Sequence, residues 1–175
     1  DPRMSIYTGR GDEGETDLRD MSRVSKSSHR IEAYGSVDEA NALLGTVRPT
    51  GHDDVDDLLE TMQNHLHIVQ ADLANPDPDP DDPQVEAKHT ETLEDRIDAF
   101  DEELEPLQSF ILPGGGEAGA ALHHARAVVR RAERRVVDLA RSEPINEAHR
   151  LSDLLFTLGR VVNARDGEPE ESPTY

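Results

Sequence analysis

The chain contains no cysteine and no tryptophan. Without cysteine there are no disulfide frameworks, thiolate zinc sites, iron–sulfur clusters or cysteine nucleophiles. Three Tyr and three Phe are the whole aromatic complement, too few for a platform on which nucleic-acid bases stack. Lysine is nearly missing, with Lys26 and Lys88 beside 16 Arg. No run of about 18 apolar residues occurs, so no segment is expected to cross a bilayer. The N-terminal stretch has neither an apolar signal core nor an Arg-rich, acid-poor transit pattern, and the expected location is the cytoplasm.

What is abundant is negative charge. Asp and Glu number 38 against 18 Lys and Arg, a formal net charge of −20 over 175 residues. Such a surface repels nucleic acid and anionic membranes. The length suits one domain with a sizeable core. Low hydropathy with high net charge also marks disorder. Disorder is one reading that fits residues 74–83 (ANPDPDPDDP), whose proline density is best read as a surface loop, and it also fits the acidic tail 166–175 (DGEPEESPTY). An acid-rich, Lys-poor chain that is amphipathic elsewhere suits a cytoplasm of molar salt, where screening relieves repulsion between carboxylates. A halophilic source is therefore a hypothesis, and it predicts unfolding in low salt.

Residues 5–26 hold Gly9, Gly11 and Gly14 among polar residues without a sustained period, the pattern of an extended loop. Helical spacing begins near Ser27 with Ile31, Tyr34, Val37, Ala40, Leu44 and Val47, capped by Ser27 or Ser28 and stopped by Pro49 and Gly51. A second helix is expected over Asp53–Leu73, with Asp53, Asp54 and Asp56 suited to its N-terminus. A third, over about residues 84–100, is the most charged, with a weak stripe of Val85, Leu93, Ile97 and Phe100. An apolar loop, PLQSFILPGGG at 106–116, precedes a fourth helix over about 117–141. A fifth covers about 145–164. No strand alternation is evident. The expected fold is an all-α, up-down bundle of five helices over 27–165. The apolar arc of the fourth helix, Val128, Val129, Val136 and Val137, is wider than one core requires and suggests a subunit interface.

Several clusters have chemical potential. In LPGGG at 112–116, glycines ahead of a helix can turn backbone N–H groups toward an anion; a flexible turn is the alternative. RAVVRRAERR at 126–135 places five Arg in ten residues. Arg126, Arg130 and Arg134 share one helix face, with Arg131 and Arg135 in an adjacent row. Like charges on one face repel, so the row needs carboxylates or a polyanion. Guanidinium groups grip phosphate oxygens through paired donors; a solvated face paired with acids such as Glu133 is the alternative. The loop YTGRGDEGET at 7–16, with Lys26 downstream, is suited to wrap a nucleotide but lacks P-loop spacing; a mobile terminus is the alternative. Asp38 follows Val37 close to the core side of the first helix, and its natural partner is an Arg of the fourth helix; a partly exposed Asp beside Glu39 is the alternative. Glu86-x-x-His89 matches half of a di-iron helix motif, but no second copy exists. His65, His67, His123 and His124 diverge in adjacent or near-adjacent positions. All of these histidines are expected to be structural or at the surface.

In order along the chain, YTGRGDEGET, RVSKSSHRIEAYGSVDEANALLG, VQADLA, SFILPGGG, ALHHARAVVRRAERRVVDLA and RLSDLLFTLGR resemble the PduO-type ATP:cob(I)alamin adenosyltransferases. The resemblance implies a five-helix bundle, ferritin-like in outline, assembled as a homotrimer with active sites at subunit interfaces. It implies transfer of the 5′-deoxyadenosyl group of ATP to the cobalt of cob(I)alamin, with Mg²⁺ and with inorganic triphosphate as second product. A corrinoid reductase and a cobalamin-dependent enzyme follow as possible partners, with neither nucleic acid nor membrane. Residue by residue, Thr8, Gly9, Arg10, Gly11, Thr16, Asp17 and Lys26 match the ATP-wrapping loop, so that 1–26 is the ATP-wrapping segment. Arg130, Arg131, Glu133 and Arg134 match the nucleotide-binding helix, with Arg130 the key triphosphate contact. Asp38 and Arg126 match an acid–base pair across the interface. Phe110 matches an aromatic that covers the lower face of the cobalt and displaces its axial base. The chain departs from the family at Arg10, where Thr is usual, and at His149, where an Asn touches the nucleotide. Its connection before the last helix is also about five residues shorter. The rival readings are an all-α, metal-dependent nucleotide pyrophosphohydrolase and a non-catalytic corrinoid carrier.

Overall fold

A computed structural model describes the backbone of residues 6–142 and 151–175, and the side chains of 6–142 and 156–175. Within these residues the chain forms β1 (Glu15–Asp17), β2 (Arg23–Ser25), α1 (His29–Val47), α2 (Asp53–Leu73), α3 (Ala87–Asp101), α4 (Glu117–Ala140) and α5 (Leu151–Arg165). The helices pack in the spatial order α2, α1, α4, α5, α3. This puts α4 at the centre, between α1 and α5.

Local chemistry sets the helix ends. Ser28 caps α1 by accepting from the Ile31 N–H. At the start of α3, the Glu86 N–H donates to His89 Nδ1 at 2.9 Å. The Glu86-x-x-His89 spacing is thus a helix cap, which also explains why α3 begins three residues later than its charge pattern suggested. Of the weak stripe on this helix, Leu93 and Phe100 are buried. Tight packing elsewhere comes from apolar stripes at helical spacing. Leu44, Leu59, Met62, Leu122, Leu139 and Leu158 are fully buried, and each such side chain contributes about 1.5–3 kcal/mol by leaving water. At the far end, Arg165 donates to both carboxylate oxygens of Asp54 and to both of Glu103. This ties the last turn of α5 to the start of α2 and the end of α3.

Three expectations are corrected. Residues 15–25 are an antiparallel hairpin with Glu15 opposite Ser25 and Asp17 opposite Arg23. It is too short to show alternation, and its turn places Met21 at φ 66°. The acidic stretch 74–83 is not disordered: Asp82 accepts from Arg19, from Asn75 and from the Asp79 N–H. The tail is held as well. Glu170 pairs with Arg160 at 2.9 Å, the Glu171 carbonyl accepts from the Leu112 N–H at 2.6 Å, and Ser172 bonds Ser109 at 3.0 Å.

Candidate active site

The arginines of α4 divide into two sets. Arg131 donates to Glu39 and Arg135 approaches Glu32 at 3.5 Å, both on α1. With the His29–Asp138 contact, they form a ladder of polar pairs between the two helices. Arg130 and Arg134, by contrast, have no carboxylate partner among the described residues. With Glu133, Val137, Asp138 and Arg141 they line an open groove of about 460 Å³. Two uncompensated guanidinium groups four residues apart, in a chain of net charge −20, concentrate positive potential on an acidic surface. Val137, beside them, is 54% exposed. Its neighbours Val128, Val129 and Val136 are buried, so only Val137 of the apolar arc is left facing outward.

One turn earlier, Arg126 stacks over the Phe156 ring at 5.9 Å. Its Nε is buried without a hydrogen-bond partner. Asp38 does not meet it within the chain. The α1 helix buries Val37 and turns Asp38 outward, where its carboxylate accepts from Gln70 Nε2 at 2.9 Å. Beside Arg126, His123 is buried against Phe156 and the backbone of Gly159, where any Cβ would come within 3.1 Å of its ring. Burial, reinforced by the positive charge of Arg126, holds its pKa below the usual histidine value.

The N-terminal segment gathers its candidates around the hairpin. Arg10 donates through Nε and Nη2 to the two oxygens of Asp17, each at 2.9 Å. This pairing lowers the Asp17 pKa. Arg23 adds a bond from Nη2 to the Arg10 carbonyl at 2.8 Å. Lys26 returns over the loop, and a Cβ on Gly11 would sit 3.0 Å from its Nζ. Thr8 Oγ1 accepts from the Arg10 N–H. Thr16, inside β1, faces Val24 in register. Gly9 adopts φ 71°, in the left-handed region that favours glycine. The structure thus brings Thr8, Gly9, Arg10, Gly11, Asp17 and Lys26 together, with Arg10 committed to Asp17.

Phe110 stands on the segment between α3 and α4 and is 84% exposed. Together with Ser109 and residues 172–175 it lines a second cavity of about 380 Å³. The glycines after it are not an open anion nest. Asn163 Oδ1 accepts from the Gly116 N–H at 3.1 Å and its Nδ2 donates to the Gly114 carbonyl at 2.8 Å. Gly115 and Gly119 make room for this amide, since a Cβ on either would lie 2.3 or 1.8 Å from it. Sequence reasoning missed Asn163 and Arg160. Their only signal is polarity on the buried face of an apolar helix. His149 lies outside the described residues. Among the described residues no cluster of three or more His, Asp or Glu side chains is spaced to hold a metal ion.

Residues 6–162 match the cobalamin adenosyltransferase family. The chain is 44% identical over 176 residues to a corrinoid adenosyltransferase of Mycobacterium tuberculosis, covering 93% of this chain and 90% of the relative. It is 41% identical over 174 residues to that of Bacillus subtilis, covering 94% and 89%. Its fold superposes with a TM-score of 0.91, at 33% identity, on a variant PduO-type ATP:corrinoid adenosyltransferase from Lactobacillus reuteri complexed with cobalamin and ATP, covering 98% of this chain and 100% of that one. The five-helix fold is that of a PduO-type enzyme, and the chain belongs to the cobalamin adenosyltransferase family.

Proposed function

We propose that this protein transfers the 5′-deoxyadenosyl group of ATP to the cobalt of cob(I)alamin, giving adenosylcobalamin and inorganic triphosphate. The observation that carries this reading is the division of the α4 arginines: Arg131 and Arg135 are paired by α1 carboxylates, whereas Arg130 and Arg134 are left for an external polyanion. Cob(I) is itself a strong nucleophile, so no general base is required. Its electron pair forms the Co–C5′ bond while the C5′–O bond breaks, and that bonding pair leaves with the triphosphate. The protein's task is in-line placement and stabilisation of the charge that develops on the leaving oxygens. Arg130 takes the largest share, assisted by Arg134, with Arg131 and Glu133 bordering them. Thr8, Gly9, Gly11, Thr16 and Lys26 close over the nucleotide, and the Arg10–Asp17 pair stiffens that loop. Phe110 presents its ring to the lower face of the corrinoid in place of an axial donor.

The working unit is a homotrimer in which Asp38 of one subunit reaches Arg126 of its neighbour. Exposed Val137, and an Arg126 whose buried Nε has no hydrogen-bond partner among the described residues, support this assembly. Mg²⁺ that enters with ATP would share with Arg130 and Arg134 the neutralisation of the triphosphate. Cob(I)alamin is strongly reducing and must be supplied by a corrinoid reductase in the same cytoplasm, and a cobalamin-dependent enzyme consumes the product.

The test is anaerobic incubation of cob(I)alamin, ATP and protein in molar KCl. Light-sensitive adenosylcobalamin and triphosphate in equal amounts are expected. Pyrophosphate with a nucleoside monophosphate would instead mark a pyrophosphohydrolase, and corrinoid binding without turnover a carrier.

A further inference from the structure

Phe110 is 84% exposed, so its place is set by the segment that carries it. Two buried polar side chains of α5, one turn apart, hold that segment at both ends. Arg160 Nη2 donates to the Glu105 carbonyl at 3.0 Å, at its start. Asn163 spans Gly114 and Gly116, at its end. Arg160 also acts through the tail. Its Nε donates to Glu170 at 2.9 Å, and the carbonyl of the next residue, Glu171, accepts from the Leu112 N–H, two residues from Phe110. Arg160 and Asn163 are only 5% and 4% exposed. A buried guanidinium stays charged, and leaving it without its partners is strongly destabilising. Docking of the tail and placement of the loop are therefore linked through one side chain.

We propose that Arg160 and Asn163 are positioning residues for the corrinoid half of the reaction, acting by fixing where the Phe110 ring stands. This rests on the reading of Phe110 given above. Neither residue lines the Arg130 groove, so the nucleotide half is not their target. A shift of about 1 Å in a group that must meet the reacting centre costs on the order of 100-fold in rate, which is the scale of effect a loosened loop can produce.

The experiment compares the trimer carrying Phe110→Ala, Arg160→Met, Arg160→Lys, Glu170→Gln or Asn163→Asp, and the Phe110→Ala/Arg160→Met double variant. The readouts are kcat, KM for ATP and for cob(I)alamin, and the electron paramagnetic resonance spectrum of bound cob(II)alamin, which reports the axial ligand of cobalt. Arg160→Met and Asn163→Asp are expected to lower kcat by about 10- to 100-fold and to move the spectrum in the direction that Phe110→Ala moves it, with KM for ATP within about twofold of the parent. Arg160→Lys and Glu170→Gln are expected to do the same more weakly. They carry the test if Arg160→Met does not fold. In the double variant, Arg160→Met should add less than about threefold to Phe110→Ala, because residues acting through one group are not additive. Parental kinetics and spectrum in folded Arg160 and Asn163 variants, beside a damaged Phe110→Ala, would overturn the proposal alone. So would full multiplication of the two effects, or a change confined to KM for ATP. Parental behaviour of Phe110→Ala would overturn the reading of Phe110 and this proposal with it.

Discussion

The sides of the site proposed for the nucleotide and for the corrinoid are built in opposite ways. On the first, the proposed triphosphate contacts share one helix: Arg130 and Arg134 are fixed by the register of α4, and their neighbours Arg131 and Arg135 are held by pairs to α1. On the corrinoid side, an exposed aromatic sits on a segment without regular structure, held from behind by buried Arg160 and Asn163 and by the chain's last residues. A helix presents a charged row by its own geometry. A loop has to be tied in place, and the ties come from far along the chain.

The sharpest way to probe this contrast is to remove one working group from each side. Arg130→Ala should lower kcat/KM for ATP by about 100- to 1,000-fold, the usual cost of deleting one donor aimed at developing charge. The fold and corrinoid binding should persist, because Arg130 is exposed and has no carboxylate partner among the described residues. Steady-state kinetics beside thermal melting decides this. Phe110→Ala should cost about tenfold or more in turnover with cob(I)alamin while leaving ATP affinity within about twofold, a split that isothermal titration with ATP reads directly. A larger loss of ATP affinity than of turnover would erase the distinction between the two sides.

Salt separates the sides less sharply. With a net charge of −20, dilution from molar KCl to about 0.1 M, where the screening length is about 10 Å, should lower the melting midpoint if the chain is adapted to high salt. ATP affinity of the folded protein should rise over the same range, since screening of the arginine groove weakens, whereas corrinoid affinity should change little. An unchanged midpoint would remove the halophilic hypothesis.

The smallest effect is expected at the hairpin. Arg10→Ala removes an exposed ion pair, which water and salt screen strongly, so KM for ATP should rise by no more than about fivefold. The folded-state pKa of Asp17 is depressed by Arg10. Its contribution is therefore present above the pKa of an unfolded Asp and is lost as pH falls through the folded value. Hydrogen exchange of the β1–β2 amides should accordingly lose protection, relative to a global-unfolding control, only at acid pH, and Arg10→Ala should weaken that pH dependence, with Arg23 still beside Asp17.

The same contrast decides what could be read from residues alone. The bounds of α2 follow from its apolar stripe and the Pro49–Gly51 stop, and the start of α4 from the glycines before Glu117. The arginine row is legible because helix periodicity converts spacing into a shared face. Sequence distance hides the rest. Composition suggested that Glu170 and Glu171 belong to a disordered tail, yet they are held by Arg160 and Leu112. Asn163 looked like one polar residue in an apolar helix, although Gly115 and Gly119 are small in order to receive it. The outward turn of Asp38 is not legible either: Gln70 from α2 donates to it, and no carboxylate meets the buried Nε of Arg126 among the described residues. Hairpin strands of three residues are too short for a period of two to register.

The division of the site is tested most directly by single-turnover adenosylation in the Arg130→Ala protein, with triphosphate release and cobalamin binding measured on the same samples. Slow adenosyl transfer with matching slow triphosphate release, beside cobalamin binding equal to the parent, is the predicted result. Transfer at the parental rate, or loss of cobalamin binding with ATP binding intact, would contradict the assignment of Arg130 to the leaving triphosphate and of the two sides to different substrates.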